Sequence, residues 1–154
     1  MSIPNKIEDS LRGSQYQVLQ HPHTSTSSQT AETAHVPGDC LAKTVILGDR
    51  QGYVAAVIPS TYQLRLSDLR EQTGRQLELA REEDLGQLFT DCEVGAVPPL
   101  GAAYGVQTYL DESLAQKPEI YFEAGDHEAL IRMSTDQFLD LMEQAEKGRF
   151  AYRM

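Results

Sequence analysis

The stretch Cys40-Leu41-Ala42-Lys43-Thr44-Val45-Ile46-Leu47-Gly48-Asp49-Arg50-Gln51-Gly52-Tyr53-Val54-Ala55-Ala56-Val57-Ile58 decides how the chain is read. Cys40 to Leu47 ends in a run of β-branched and aliphatic residues and predicts a strand. Gly48 to Gly52 predicts a hairpin loop, and Tyr53 to Ile58 the returning strand. Pro59 ends it. One charge interrupts the apolar run, and it is Lys43. Strand alternation places Lys43 on one face with Val45 and Leu47, and Thr44 with Ile46 on the other. In a central strand that directs an ammonium into an interior or a cleft, where it needs a carboxylate, a phosphate or a carbonyl-rich site. At a sheet edge the same side chain simply reaches solvent.

Elements of both kinds extend outward from this hairpin. Toward the N-terminus, Ile3 to Gly13 predicts an amphipathic helix with Ile3, Ile7 and Leu11 on one face, Pro4 in its first turn and Gly13 at its end. Gln15 to Leu19 alternates and reads as a strand, broken by His21-Pro22-His23. The hydroxyl-rich run Thr24 to Thr30 leads into a short helix that Val36-Pro37-Gly38-Asp39 closes, with Ser28 offering cap chemistry.

Toward the C-terminus, Ser67 caps a helix over 68–73 that Gly74 stops, and Leu77 to Leu79 forms a short strand. Arg81 to Phe89 is helical, with Glu82, Glu83 and Asp84 in the favourable first turn. Val106 to Leu110 is a strand, and Asp111 to Ala115 a single helical turn. Glu119–Glu123 and Ala129–Met133 form a hairpin around Ala124-Gly125-Asp126-His127. Ser134 caps a last helix with Phe138, Leu141 and Met142 on its apolar face. The basic tail, 146–154, is expected to be loosely ordered. Helices, hairpins and lone strands so mixed predict one domain over 1–154, of the α+β or mixed-sheet α/β class.

Composition narrows the functions. Hydrophobic residues at 40% and charged residues at 23% are ordinary for a globular chain. No apolar run reaches the length of a membrane span, and Met1 to Glu8 lacks the basic start and apolar centre of a signal peptide. Cys40 and Cys92 fit no zinc or redox spacing and read as reduced thiols in a cytoplasmic protein. A net charge of −10 argues against broad binding to nucleic acid, DNA included, and leaves room only for narrow contact with one end of an RNA.

Several residues invite chemistry. In Gly95-Ala96-Val97-Pro98-Pro99-Leu100-Gly101 two prolines stiffen the backbone, while Gly95 and Gly101 allow positive φ or close approach. Such a segment presents fixed backbone groups for a small polar ligand; it serves equally as a tight helix-to-strand connection. His127, beside Asp126 in a turn, suits donation to a substrate or a base role, and also plain solvation. His21 and His23 lack a third ligand for a metal and read as a surface turn. The hydroxyls at 24–30 line a polar pocket or cap a helix. There is no Ser-His-Asp order, Walker loop, dinucleotide fingerprint or HExxH.

Lys43 on its apolar strand, the Gly-x-x-Pro-Pro-x-Gly loop and the Ala-Gly-Asp-His turn before a closing strand and helix occur here in one order. That combination resembles the YbaK/EbsC family, an editing domain found free-standing and also inserted in bacterial prolyl-tRNA synthetases, over roughly Tyr16 to Met142. The resemblance implies a compact α/β domain with a mixed, partly barrel-like sheet flanked by helices. It implies hydrolysis of the ester between a wrong amino acid and the tRNA 3′ end, with no cofactor and no metal.

By the same resemblance Lys43 and His127 are the catalytic candidates, Lys43 holding the substrate's 3′-terminal region. Gly95, Ala96, Val97, Pro98, Pro99 and Gly101 surround the aminoacyl group. Asp126 lies beside the substrate, and Thr26, Ser27 and Ser28 border the pocket by analogy. Partners are then the tRNA 3′ aminoacyl end and, as a second class, an aminoacyl-tRNA synthetase. An activated ester needs chiefly a positioned water and a stabilised oxyanion, so the absence of a triad is no objection. His127 and a substrate hydroxyl stand as equal candidates for the general base. The competing reading is a non-catalytic module that binds an amino acid or nucleotide, or docks on a synthetase.

Overall fold

The computed structural model describes residues 3–22, 27–92, 97–126 and 128–153, apart from the side chains of 27–29, 33, 82, 102 and 103. Its first half runs α1 (Asn5–Leu11), β1 (Gln17–Gln20), α2 (Ser27–Ala34), β2 (Leu41–Asp49), β3 (Gly52–Pro59), β4 (Tyr62–Leu64) and α3 (Leu66–Thr73). The second half runs β5 (Glu78–Leu79), α4 (Glu82–Leu88), β6 (Gln107–Asp111), β7 (Glu119–Glu123), β8 (Ala129–Ser134), α5 (Thr135–Leu141), β9 (Glu146–Gly148) and β10 (Ala151–Arg153). No helix among the described residues is long and apolar enough to cross a membrane.

The main sheet is mixed, in the order β1-β8-β7-β2-β3-β6-β9, with β5 added to β2. The β2–β3 hairpin is its spine, eight register pairs from Ala42↔Pro59 to Asp49↔Gly52. β7 pairs β2, and β6 pairs β3, in parallel. Strands flanked on both sides and covered on both faces read as continuous apolar runs, and Val54 to Ile58 of β3 is wholly buried.

The pleat divides the core between the two faces. On the first face Ala42, Val57, Leu110, Phe122 and Ile131 pack beneath α1 and α5, where Ile7, Leu11 and Phe138 are fully buried. Ile46 and Ala55 continue that face toward Phe89 and Val97. On the second face Leu47, Val54, Ala56 and Ile58 meet Leu69 of α3 and Phe150, while Leu41, Tyr121 and Leu130 meet Ala31 of α2. The helix face read from Ile3, Ile7 and Leu11, the Gly74 cap at φ +69° and the Ser134 cap onto the Gln137 N–H all stand as expected.

Two expectations need correcting. Ser67 does not cap α3. That helix starts at Leu66 after Arg65, whose N–H donates to the Phe150 carbonyl and whose guanidinium lies 3.5 Å from Asp68. Nor is the tail loose. β9 pairs β6 in parallel, β10 pairs β4, and Phe150 between them is fully buried. Asp111 Oδ1 takes the N–H groups of Phe150 and Ala151 at 2.9 and 3.1 Å, fastening the tail to the end of β6. These pairings join segments far apart in sequence, so no local pattern announces them.

The hairpin tip is held by charge. Arg75 donates to Asp49 through Nε at 2.8 Å and Nη2 at 2.5 Å. That bonding, aided by the Gln51 N–H, draws the Asp49 carboxyl down from 3.8 to about 2.

Phe150→Ala should lower stability by about 3–5 kcal/mol in urea denaturation, the range for emptying a buried aromatic site; a loss below about 1 kcal/mol would mean the tail is not part of the core. The Asp49 carboxyl binds its proton more weakly in the folded chain than in the unfolded one. The pair's stabilisation is therefore complete above the unfolded value of 3.8 and is lost as pH falls through about 2. Asp49→Asn should remove that part of the acid-unfolding profile and leave its shape above about pH 5 unchanged.

Candidate functional site

β2 and β7 part almost as soon as they meet. Their parallel ladder consists of Leu41↔Tyr121 and Ala42↔Phe122. Further along the same edge of β2, β5 takes over at Leu47 and Gly48, and the Ala80 N–H donates to the Ile46 carbonyl at 3.0 Å. Between these ladders, from Lys43 to Val45, no strand among the described residues covers that edge. The sheet has a gap there. Lys43 is the first residue past the last pair on β2, and Glu123 occupies the matching place on β7. By alternation both lie on the second face, with Leu41 and Tyr121.

Lys43 is half-buried, and burial holds its ammonium below the ordinary lysine pKa, because a charge deprived of solvent favours its neutral form. Among the described residues no carboxylate stands within ion-pair distance of it. Arg12, Arg75, Lys117, Arg132, Arg149 and Arg153, in contrast, each have one. A partly desolvated cation without a protein partner is costly to keep and is available to an external anion or oxygen ligand.

Across the gap, His21 Nε2 lies 3.3 Å from Glu123 Oε1, with both side chains almost wholly buried. The His21 N–H donates to the Glu128 carbonyl at 2.8 Å, which fastens this residue to the β7–β8 turn. Its Nδ1 lies 2.7 Å from the Pro22 carbonyl, which can only accept, so Nδ1 carries a proton. Nε2 and the carboxylate then attract only while a proton lies between them. Thr30 of α2, fully buried, belongs to the same side of the sheet as Ala31, Leu41 and Tyr121.

His21 was expected in a surface turn and is instead a core residue. Its neighbour Pro22 does break the strand, but backbone pairing with Glu128 turns the imidazole inward. Glu123 escaped notice as the polar end of an apolar strand. Alternation from Tyr121 was the signal that could have aligned it with Lys43.

The double-proline loop takes a different place from the one the sequence suggests. Val97 packs with Ile46, Ala55 and Phe89, and Leu100 with Ala42, Val57 and Leu110. These are first-face residues, so the described half of the loop lies under the opposite side of β2 from Lys43. There Pro99 and Leu100 border a cavity of about 530 Å³, shared with Val106, Thr108, Leu141 and Met142.

Gly101 is needed for close approach. A Cβ there would collide with Thr108 Oγ1 and fall 2.9 Å from the Val106 carbonyl oxygen. The loop's ends are clasped where the Tyr104 hydroxyl donates to Asp91 Oδ1 at 2.8 Å, with the Tyr104 ring 4.8 Å from that of Phe89. Burial pushes the nearby Cys92 thiol up to about 12, so it is no nucleophile.

Cys92 also marks where the loop sets out. Its Sγ would lie 3.2 Å from a Cβ on Gly125, in the β7–β8 turn, so the loop starts beside that turn before passing beneath the first face. Asp126 is buried in the same turn, and its Oδ1 accepts from the N–H groups of Glu128 and Ala129, both at 2.9 Å. That bonding shapes the turn. Ser27 and Ser28 begin α2. Thr26, Gly95, Ala96 and His127 lie outside the described residues, as do the side chains of Ser27 and Ser28. Among the described residues no cluster of three or more His, Cys, Asp or Glu side chains could hold a metal.

Comparison with known proteins agrees with this architecture. The sequence pattern of the aminoacyl-tRNA editing domain matches residues 21–141. A protein of Enterococcus faecalis, provisionally named Cys-tRNA(Pro)/Cys-tRNA(Cys) deacylase EbsC, is 30% identical over 131 residues, 84% of this chain and 76% of its own. A proline–tRNA ligase of Thermosipho africanus is 30% identical over 82 residues, 53% of this chain but 14% of that enzyme. A solved structure provisionally described as a trans-editing enzyme for prolyl tRNA synthetase superposes with a TM-score of 0.81 at 22% identity, covering 98% of this chain and 99% of its own. The chain belongs to the aminoacyl-tRNA editing domain family.

Proposed function

We propose that this chain is a trans-acting aminoacyl-tRNA deacylase, a hydrolase that cleaves the ester of mischarged tRNA, with Lys43 as the residue that receives the RNA end. The observation that carries the reading is the half-buried ammonium, without a carboxylate among the described residues, at the gap where β2 and β7 part. Family membership supplies the reaction class, and the named relatives support action on misacylated tRNA.

In the reaction, water adds to the ester carbonyl and the tetrahedral intermediate collapses. The ribose oxygen leaves with a proton, giving free amino acid and uncharged tRNA. An ester is activated enough for placement and charge stabilisation to dominate over nucleophilic catalysis. Lys43 suits a phosphate or ribose oxygen, since a compact ammonium binds as a point charge and gains strength where water is partly excluded. His127 and a ribose hydroxyl are the candidates for taking the water's proton. The paired state of so many surface cations leaves little for the body of the tRNA. That favours a synthetase or another tRNA-binding protein as the partner that holds it, with this domain contacting the 3′ end.

Incubation with a panel of mischarged tRNAs should release the amino acid from at least one. Lys43→Ala should slow that release by about ten- to hundredfold, as expected for losing a charge-assisted contact. Lys43→Arg should restore only part of it, because the fork is shaped differently. Lys43→Met should raise the melting temperature, since it removes a desolvated charge while keeping the apolar stem. Inertness toward the whole panel, or full activity in Lys43→Ala, would sink the reading.

A further inference from the structure

Alternate residues of β2 turn their backbone N–H and C=O groups to opposite edges of the strand. The Ser60 N–H donates to the Leu41 carbonyl at 2.8 Å, so Leu41, Lys43, Val45 and Leu47 address β3. Ala42, Thr44, Ile46 and Gly48 address the edge that β7 and β5 share. Ala42 is covered there by β7 and Gly48 by β5, and the Ile46 carbonyl takes the Ala80 N–H. Among the described residues nothing pairs with the backbone N–H and C=O of Thr44, which open into the gap. Thr44 Oγ1 is buried without a hydrogen-bond partner as well. Interior polar groups are nearly always paired, so three open ones on one residue of a mid-sheet strand mark a place for a ligand.

We propose that the aminoacyl group of the substrate binds as a one-residue strand against Thr44. Its α-ammonium donates to the Thr44 carbonyl, and its ester carbonyl accepts from the Thr44 N–H. This inference rests on the deacylase reading above for its substrate class. The order of groups along β2 sets the direction. The strand presents the Lys43 ammonium, then the Thr44 N–H, then the Thr44 carbonyl. An aminoacyl ester read from its RNA end presents phosphate and ribose oxygens, then the carbonyl, then the α-ammonium. The two series match, cation to oxygen, donor to acceptor and acceptor to donor, when the amino acid runs antiparallel to β2.

In an antiparallel rung of this kind the two residues exchange both hydrogen bonds and carry their side chains on the same face. The amino acid's side chain therefore falls on the first face with Thr44 and Ile46, while the RNA end stays with Lys43 on the second. Ile46 packs there with Val97 of the double-proline loop. The loop and the lysine thus serve one substrate from opposite faces of β2, and the gap is the passage between them. The Thr44 N–H, aimed at the ester carbonyl, also stabilises the oxyanion that forms when water adds.

Amide hydrogen exchange of the full chain, resolved by NMR, tests this with non-hydrolysable 3′-aminoacylamino-3′-deoxyadenosine 5′-phosphates in alanyl, seryl, cysteinyl and prolyl forms. Without ligand the Thr44 amide should exchange about tenfold or more faster than those of Lys43 and Val45, which β3 holds. Saturation with at least one ligand should slow the Thr44 amide by about tenfold or more and leave its two neighbours nearly unchanged. An analogue with CH2 in place of the carbonyl should leave it fast. Thr44→Pro removes that N–H without removing a bond to β3 and should weaken the ligand by about tenfold. Circular dichroism reads the fold of the variant, and the exchange measurement stands without it. A Thr44 amide already as protected as its neighbours, binding that leaves it fast, or no binding by any ligand would overturn the proposal. Because the ligands are amides, failure to hydrolyse any mischarged tRNA counts against the deacylase reading alone.

Discussion

The ladder between β2 and β7 holds only two register pairs, and the rest of the site follows from that brevity. Had the strands run on together, Lys43 and Glu123 would have been cross-strand neighbours in a closed sheet, and mutual pairing would have been their most favourable state. The β7–β8 turn begins right after Glu123, at Ala124 and Gly125, so β7 ends there. β2 continues for seven more residues, to Asp49, against β3. One strand stops while its neighbour goes on, and a backbone edge opens inside the sheet rather than at its rim. Lys43 at that opening is half-buried, and partial exclusion of water makes a single charge matter.

The two faces divide the work. The first face is packing. α1, α5 and the described half of the double-proline loop cover Ala42, Ile46, Ala55 and Val57, and the prolines serve there as a rigid wedge with no N–H groups left to satisfy. The second face carries both ionic residues of the gap, next to Leu41 and Tyr121, which pack against α2. Each residue of β2 therefore has a role set by its parity. Thr44 and Ile46 share the face that the wedge covers, while Lys43 lies on the other face with Val45 and Leu47 beyond it. A stiff loop under one face is a reasonable support for an opening in the other, since the strand between them cannot then sag.

What was legible in the sequence was local. The β2–β3 hairpin, the Gly74 and Ser134 caps, the Asp111 turn and the parity of Lys43 all follow from patterns within a few residues, and the structure has each of them. What was not legible was pairing at a distance. Nothing near Phe150 says that it fills a space beside Leu69 and Ile58, and nothing near His21 says that Glu128 will turn it inward. The proline loop shows the same limit from the other side. Its stiffness could be read, but the face it would support depended on the crossover after α4. The charge in an apolar strand singled out Lys43 and the resemblance to an editing domain gave it a role, yet Glu123 became visible only with the register of β7.

Lys43 also bears on how an acidic chain can act on RNA. With a net charge of −10, the average surface repels phosphate, and most of the arginines that could oppose this, among them Arg75, Arg132 and Arg153, lie beside carboxylates. The exposed ones, such as Arg12–Asp9 and Arg149–Glu112, add little stability and little field. A lone cation in a partly dry opening behaves differently, because screening by salt and by neighbouring charges weakens as water is excluded. Its desolvation is also a standing cost to the fold, which a structural lysine would relieve by acquiring a partner. The retention of that cost where β7 leaves β2 is what a binding cation requires, and packing among the described residues gives no reason for it.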